Sequence, residues 1–229
     1  MVDHDESVVI ATKCYVVGDA RERALDSLTS LVGNDVGELA VDATVTLGDD
    51  DFPVVGLDGD DATVAKNLLA DEWGAVPDRS AALADGETYV GTLDSWDEDG
   101  FVLDAGRPVR IHRDDLGLGP GDGTQVRTRF GLVQHVPLAF EAGETPRLSD
   151  GQRDVLFDWT RGDGRVNVNS ATRAEVRATV NRAGHARDIV TVERLGLLEQ
   201  SIVCAEGTDP PGLLASIGEY LPAELLCVV

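Results

Sequence analysis

The sequence of 229 residues predicts a mixed α+β protein made of three small consecutive domains. Strand-like and helix-like patterns alternate in the first and last thirds of the chain, and short strand-like runs separated by glycine turns fill the middle third. Hydrophobic residues make up 42% of the chain, which is enough for real cores in spite of a net charge of −23. We predict domain boundaries at residues 1–82, 86–144 and 148–229.

The first domain has the predicted order β-α-β-β-α. An apolar run at residues 8–17 predicts a mostly buried strand, and Asp19 with Glu22 three residues later is a capping signal that predicts a helix after it. Strand-like runs follow at 39–47 and 52–57, and a second helix comes after them. This order suits a ferredoxin-like sandwich without its last strand, or a KH-like unit without the GXXG loop that clamps RNA in KH domains.

The second domain is predicted to be a small closed β-barrel, because its sequence consists of short strand-like runs separated by glycine turns. The glycine-rich loop 117–123 lacks the Lys-Ser/Thr of a P-loop and is interpreted as a turn. An acidic turn, a glycine and then Phe101-Val102 before an aspartate resemble the start of an S1-type OB barrel. The five strands are predicted at residues 86–93, 96–104, 108–111, 125–130 and 132–140.

The last domain is the best patterned part of the chain. Ser149 with Gln152 predicts a first helix through a capping box, and Thr172 with Glu175 predicts a second. From residue 165 onward the predicted order is β-α-β-β-α-β, which is the ferredoxin-like pattern. The remaining elements are strands at 165–169, 188–194, 200–205 and 224–229 and a helix that starts with Pro210 after Asp209.

The charge composition is unusual, with 42 acidic residues, 19 basic residues and only two lysines, Lys13 and Lys66. Abundant acids and scarce lysine are typical of proteins adapted to molar salt. The Debye length near 1 M salt is only about 3 Å, so acidic self-repulsion is screened there. In such a protein the acidity is a background, and only local departures from it carry information about partners.

One such departure is an arginine-rich stretch at residues 151–195, whose net charge of +2 leaves −25 for the rest of the chain. Arginine forks bind phosphate bidentately and stack on bases, so the stretch predicts contacts with RNA. Helical spacing places Arg173 and Arg177 together but Arg182 on the far side, so no single basic face forms; ion pairing and helix-end stabilisation are the structural alternative. The candidate RNA-binding residues are Arg165, Arg173, Arg177, Arg182, His185, Arg187 and Arg194.

A second candidate site follows the strand at 200–205. The pattern Asp-Pro-Pro-Gly-Leu-Leu at residues 209–214 resembles the opening of ACT-type amino-acid-sensing modules. That resemblance implies a ligand site at Asp209, Gly212 and Leu213. A well-capped helix start is the structural alternative.

No catalytic centre, metal site or cofactor is predicted. The histidines and three cysteines show no HxH, HExxH or CxxC spacing. The N-terminal residues 1–7 are acidic where a signal peptide would be basic, and no apolar run approaches the roughly 20 residues that span a bilayer. We therefore expect a cytoplasmic protein with no membrane partner.

Three C-terminal runs, at residues 159–165, 169–177 and 193–199, resemble an archaeal family, found in haloarchaea, that is known as domain of unknown function 2110. The likeness extends over nearly the whole chain. It implies an archaeal housekeeping-type protein and carries over no catalytic residues.

The leading hypothesis is a non-enzymatic, RNA- or ribonucleoprotein-binding accessory protein of archaeal translation or transcription. Its expected partner is RNA or a ribosome- or polymerase-type assembly, and no DNA specificity is inferred. Three alternatives stay open: an ACT-like regulator that senses a small molecule, an enzyme with an unrecognised centre, and a protein–protein scaffold.

Overall fold

The computed structural model describes residues 6–229, and in that range it has three antiparallel sheets and six α-helices. The predicted α+β class is confirmed. Residues 1–5, which belong to the acidic N-terminal run, lie outside the described residues. In residues 6–229, no helix is both long enough and apolar enough to cross a bilayer.

The first sheet has the strand order β1-β3-β2, with α1 and α2 packed on it around Leu28 and Leu69. The predicted order β-α-β-β-α is observed. The first strand is shorter than predicted and ends at Val9, because the chain then leaves the sheet as an extended segment, residues 11–17, that runs toward the other two sheets. The elements are β1 (Glu6–Val9), α1 (Asp19–Asp35), β2 (Asp42–Leu47), β3 (Pro53–Asp58) and α2 (Ala62–Trp73).

The capping residue of α1 also differs from the prediction. The N-cap is Gly18, at φ 59°, and it makes no side-chain cap; Asp19 and Glu22 lie in the first turn instead. Acidic side chains there still stabilise the helix through its dipole.

The second sheet has the order β6-β5-β4-β7-β8 and curls into a half-barrel. The predicted closed barrel does not form, because the edge strands β6 and β8 are not hydrogen-bonded to each other. The helix after Ser149 packs on this sheet, where Leu156 and Trp159 join the core around Phe101 and Phe140. The elements are β4 (Thr88–Asp97), β5 (Gly100–Asp104), β6 (Pro108–His112), α3 (Gly123–Arg129), β7 (Pro137–Glu141), β8 (Arg147–Leu148) and α4 (Asp150–Trp159).

Helix α3 replaces the strand predicted at 125–130, and that prediction was wrong. Val126 and Phe130 fit both a strand period and a helical i, i+4 pair, and both are buried. A capping box stabilises the helix over the strand. Gln125 N–H donates to Asp122 Oδ1 at 2.8 Å, and Asp122 N–H donates to Gln125 Oε1 at 3.1 Å. The loop at 117–123, interpreted as a plain turn, therefore opens a helix.

Gly123, the first residue of α3, lies directly against the β4–β5 turn. A Cβ at this position would overlap the Asp97 carbonyl and lie 2.8 Å from Gly100 Cα. We expect Gly123→Ala to lower the free energy of unfolding by about 1–3 kcal/mol through overpacking. A Cβ added at Gly151, near the start of α4, would have no neighbour within 4 Å, so Gly151→Ala is the matched control. Urea denaturation measures both, and equal stabilities for the two variants would contradict the prediction.

The third sheet has the order β10-β11-β9-β12, with α5 and α6 packed around Val180, Ile202 and Ile217. The predicted order β-α-β-β-α-β is observed, and the Thr172–Glu175 capping box of α5 forms in both directions. The elements are β9 (Arg165–Val168), α5 (Arg173–Arg182), β10 (Ile189–Arg194), β11 (Gln200–Cys204), α6 (Pro210–Gly218) and β12 (Leu225–Val228).

Polar contacts join the second and third sheets. The buried Arg127 guanidinium lies 3.6 Å over the Trp96 ring and pairs with Glu224, whose other oxygen accepts from Gln134 N–H at 2.7 Å. The buried Asn167 amide donates to the Gly131 carbonyl at 2.8 Å. Since buried polar groups are costly unless paired, these bonds fix how the two sheets sit together.

Candidate functional site

A cleft of about 570 Å³ lies between helix α1 of the first sheet and helix α5 of the third. It brings together Arg173, Arg177 and Arg194, three of the seven arginine-stretch residues predicted to bind RNA. The remaining lining mixes apolar and polar groups: Ser27, Leu31 and Asp35 from α1, Ala174 from α5, and Leu197 and Gln200 from the β10–β11 hairpin.

Two ion pairs hold the walls of this cleft. Arg23 on α1 pairs with Glu175 on α5 at 3.0 Å. Toward the other end of α1, Arg194 pairs with Glu72 at 2.6 Å and its guanidinium lies 4.0 Å over the Trp73 ring. The helical rise of 1.5 Å per residue places about 18 Å of α1 between Arg23 and Asp35, and the cleft-lining residues lie within that length.

The arginines of α5 and of the turn after it are distinct from all the others. Thirteen of the 17 arginines make a hydrogen bond or an ion pair with other described residues. Arg173, Arg177, Arg182 and Arg187 make neither within residues 6–229, and all four are exposed. Ion pairing, one half of the structural alternative, therefore does not account for these four side chains, whereas Arg182 in the last turn of α5 fits the other half, helix-end stabilisation.

The acid closest in sequence to the two cleft arginines is already engaged. Glu175 accepts from the N–H and hydroxyl of Thr172, each at 2.9 Å, and from Arg23. Burial would raise the pKa of this carboxyl, but the Thr172 and Arg23 hydrogen bonds outweigh it and lower the pKa. Glu175 therefore stays ionised and is held by Thr172 and Arg23, and it makes no ion pair with Arg173 or Arg177.

The other predicted RNA-binding residues do not join the cleft. Arg182 lies 5.6 Å over the Tyr220 ring, on the far side of α5 as the helical spacing predicted, and Arg187 follows the helix. Arg165 is held by Glu193 and Ser201, at 3.0 Å each, and its side chain is only 13% exposed.

His185 is also held in place by its neighbours. Its Nδ1 lies 2.6 Å from Asp188 Oδ2, and its Nε2 lies 2.8 Å from the Ser216 hydroxyl on α6. Arg165 and His185 thus both have structural partners, and their contact with RNA stays a prediction.

One of the three residues of the predicted ACT-like ligand site is buried in the structure. Leu213 is 2% exposed and belongs to the core of the third sheet, so it does not face a ligand. Asp209 occupies the N-cap position of α6 without a side-chain cap, and Gly212 is exposed in the first turn. Of the two interpretations of residues 209–214, the structure shows the helix start, at Pro210.

A second feature, which no sequence motif indicated, is a half-buried junction where the three sheets meet at Tyr15. The Tyr15 hydroxyl donates to Glu199 Oε1 at 2.7 Å and accepts from Ser170 N–H at 2.9 Å. Its ring packs on His135 with centroids 4.1 Å apart. One side chain of the first domain thus contacts the second and the third.

Backbone strain is concentrated at the same junction. Among residues 6–229, the non-glycine residues with positive φ are Asp51 (65°), His135 (68°) and Ser170 (58°). His135 and Ser170 contact Tyr15, and the Asp51 carbonyl accepts from Cys14 N–H at 2.9 Å. Such conformations cost of order 1–3 kcal/mol each and persist where the surroundings over-determine them. The junction is therefore a rigid, specifically built contact.

Two titratable groups of the junction, Glu199 and His135, have pKa values shifted toward their uncharged forms. Burial raises the pKa of Glu199 to about 8, and its Oε2 has no partner among the described residues. Burial, and then the nearby Lys13 ammonium, lower the pKa of His135. Glu199 lies between Leu197 and Gln200 in the chain, and both of these residues line the cleft. The junction therefore positions the hairpin that forms one wall of the cleft.

Within the described residues, no group of three or more His, Cys, Asp or Glu side chains is placed to hold a metal ion. The chemistry that the described arrangement offers is the binding of anions by guanidinium groups.

Comparison with known protein families gives matches to three domains of one family. The DUF2110 N-terminal domain matches residues 7–79, the DUF2110 central domain matches 83–160, and the DUF2110 C-terminal domain matches 163–229. The central match includes α4, in agreement with the packing of that helix on the second sheet. No curated protein matches the chain.

Proposed function

We propose that this chain, which belongs to the DUF2110 family, is a non-enzymatic RNA-binding protein that acts with RNA or with a ribosome- or polymerase-type assembly. This family membership agrees with the resemblance to the same family that three C-terminal runs of the sequence show. One observation carries the proposal: Arg173 and Arg177 face an inter-domain cleft without an ion-pair partner among the described residues, in a chain with 42 acids.

Unpaired guanidiniums in such a chain suit phosphate. Protein carboxylates are the competing anions, and the nearest of them in sequence, Glu175, is directed to Thr172 and Arg23. Residues i and i+4 of a helix lie about 5–6 Å apart at Cβ, so both guanidinium forks reach one anionic ligand. Arginine binds phosphate bidentately and is weakly hydrated, which favours binding through high salt.

The architecture supports the same proposal by analogy. The strand order of the third sheet suits a ferredoxin-like domain, the first sheet suits the same fold without its last strand, and the curled second sheet suits an S1- or OB-like barrel. Domains of these kinds often bind RNA on sheets and loops. We also propose an archaeal, salt-rich cytoplasm as the working environment, because the composition fits it.

Sequencing the RNA that copurifies with the protein from its host at native salt tests this function. We expect RNA with the wild type and a strong loss with Arg173/Arg177/Arg187→Glu. The matched control is Arg110/Arg147/Arg161→Glu, which changes the charge equally at exposed arginines that are ion-paired. Recovery of equal RNA with both triple variants, or of none with the wild type, would contradict the proposal.

A further inference from the structure

The shape of the cleft between α1 and α5 limits what can occupy it. Its volume of about 570 Å³ lies within the range of 300–1,000 Å³ that is usual for small-ligand sites. The Arg23–Glu175 pair crosses from α1 to α5 near one end, and the Arg194–Glu72 pair ties the domains near the other. A site bounded in this way suits one nucleotide at the end of a strand better than the middle of a continuous strand.

The charge of the cleft fits a dianion. Arg173 and Arg177 supply two guanidiniums that make no ion pair among the described residues, and Asp35, the acid that also lines the cleft, accepts from Trp73 Nε1 at 3.0 Å. Arg173 and Ala174 are the first two residues of α5, and their N–H groups have no acceptor within the helix. A phosphodiester carries one negative charge, whereas a phosphomonoester approaches two at pH 7, because its second pKa is about 6.

The remaining lining suits the rest of a nucleotide. Leu31 and Leu197 give the cleft apolar wall next to the arginines. Gln200 is fully buried, and its Oε1 has no partner among the described residues, while its Nε2 donates to the Ala171 and Leu197 carbonyls at 3.3 and 3.2 Å. A buried acceptor without a partner is unusual in native proteins and indicates a missing donor, such as a ligand amino or hydroxyl group or an ordered water.

From these three observations we infer that the cleft binds a nucleotide phosphomonoester. The inference deepens the proposed function and rests on it where the nucleotide is the phosphorylated end of an RNA strand. A free nucleoside monophosphate presents the same chemistry.

Fluorescence anisotropy with one RNA sequence separates these possibilities. The oligonucleotide is prepared with a 5′-phosphate, with a 3′-phosphate and with hydroxyls at both ends, and adenosine monophosphate is the competitor. We expect a terminal phosphate at one end to tighten binding at least tenfold over the hydroxyl form. This advantage should shrink from pH 7.5 to pH 5, as the phosphate loses its second charge, and Arg177→Ala should remove it while Arg161→Ala, at an exposed ion-paired position, leaves it intact.

The outcomes distinguish the inference from the proposed function. Equal affinities for all three oligonucleotides would overturn the inference and leave RNA binding in place. Binding of adenosine monophosphate without binding of any oligonucleotide would support the inference and contradict the RNA-binding function. Absence of binding by every probe would overturn both.

Discussion

Replacement of Glu199 by glutamine is expected to stabilise the protein at pH 8 and to remove much of its loss of stability between pH 5 and pH 8. Burial raises the pKa of Glu199 from 4.5 to about 8 in the folded protein. Between those values the unfolded chain ionises this group and the folded chain does not, so the folded state binds more protons and the free energy of unfolding falls as pH rises. The shift corresponds to roughly 3–5 kcal/mol in total.

Glutamine is always neutral and keeps an oxygen that can accept from Tyr15, so the variant lacks this pH-dependent term. His135 works in the opposite direction, since its lowered pKa makes the folded protein more stable as pH rises toward the ordinary histidine value. The difference between wild type and Glu199→Gln cancels that contribution. Urea denaturation at pH 5.5 and pH 8, with the exposed Glu206→Gln as control, measures it. Parallel shifts of the two Gln variants across this range would contradict the account.

Replacement of both cleft arginines by alanine is expected to weaken RNA binding by about 30- to 150-fold, because each charge-assisted contact contributes roughly 1–1.5 kcal/mol at a partly exposed site. The dependence on salt should change as well. Each neutralised phosphate contributes about 0.7 to the slope of log K against log salt for single strands, so Arg173→Ala/Arg177→Ala, which releases the one phosphate that both guanidiniums bind, should lower the absolute slope by about 0.7.

Titrations of a fluorescent RNA at several salt concentrations measure both quantities. Arg110→Ala/Arg147→Ala is the matched control, since it removes two exposed, ion-paired arginines of the second sheet. We expect its slope and affinity to stay close to the wild type. A loss of RNA affinity of equal size in both double variants would indicate a general effect of net charge. It would contradict the assignment of RNA binding to the cleft.

The elements that could be predicted are those with strong local signals. The Thr172–Glu175 pair marks the start of α5 because both halves of its capping box lie within four residues. The sequence of residues 125–130 predicts a strand wrongly because Val126 and Phe130 satisfy two periods at once, and Asp122, which decides between them, lies in a segment that reads equally well as a turn. The predicted first strand is too long because the apolar run continues past β1: Ile10, Ala11 and Cys14 are buried although they lie outside the strand.

The site could be predicted in part for a similar reason. The arginine stretch is local in sequence, so Arg173 and Arg177 could be found. That they lack ion-pair partners depends on the contacts of the neighbouring Glu175, which pairs with the distant Arg23, and a sequence does not show such contacts. The Tyr15–Glu199 junction joins residues 184 positions apart, and neither belongs to a motif. A glutamate directly after the apolar Leu197-Leu198 pair was the one signal that could have drawn attention to it.

Photo-crosslinking shows whether RNA occupies the cleft between α1 and α5. RNA containing 4-thiouridine is bound to the full-length protein, irradiated and digested, and the crosslinked peptides are identified by mass spectrometry. We expect crosslinks in peptides from the cleft-lining parts of α1, α5 and the β10–β11 hairpin, around Leu31, Ala174 and Leu197. Crosslinks confined to the second sheet, with none at the cleft, would contradict it.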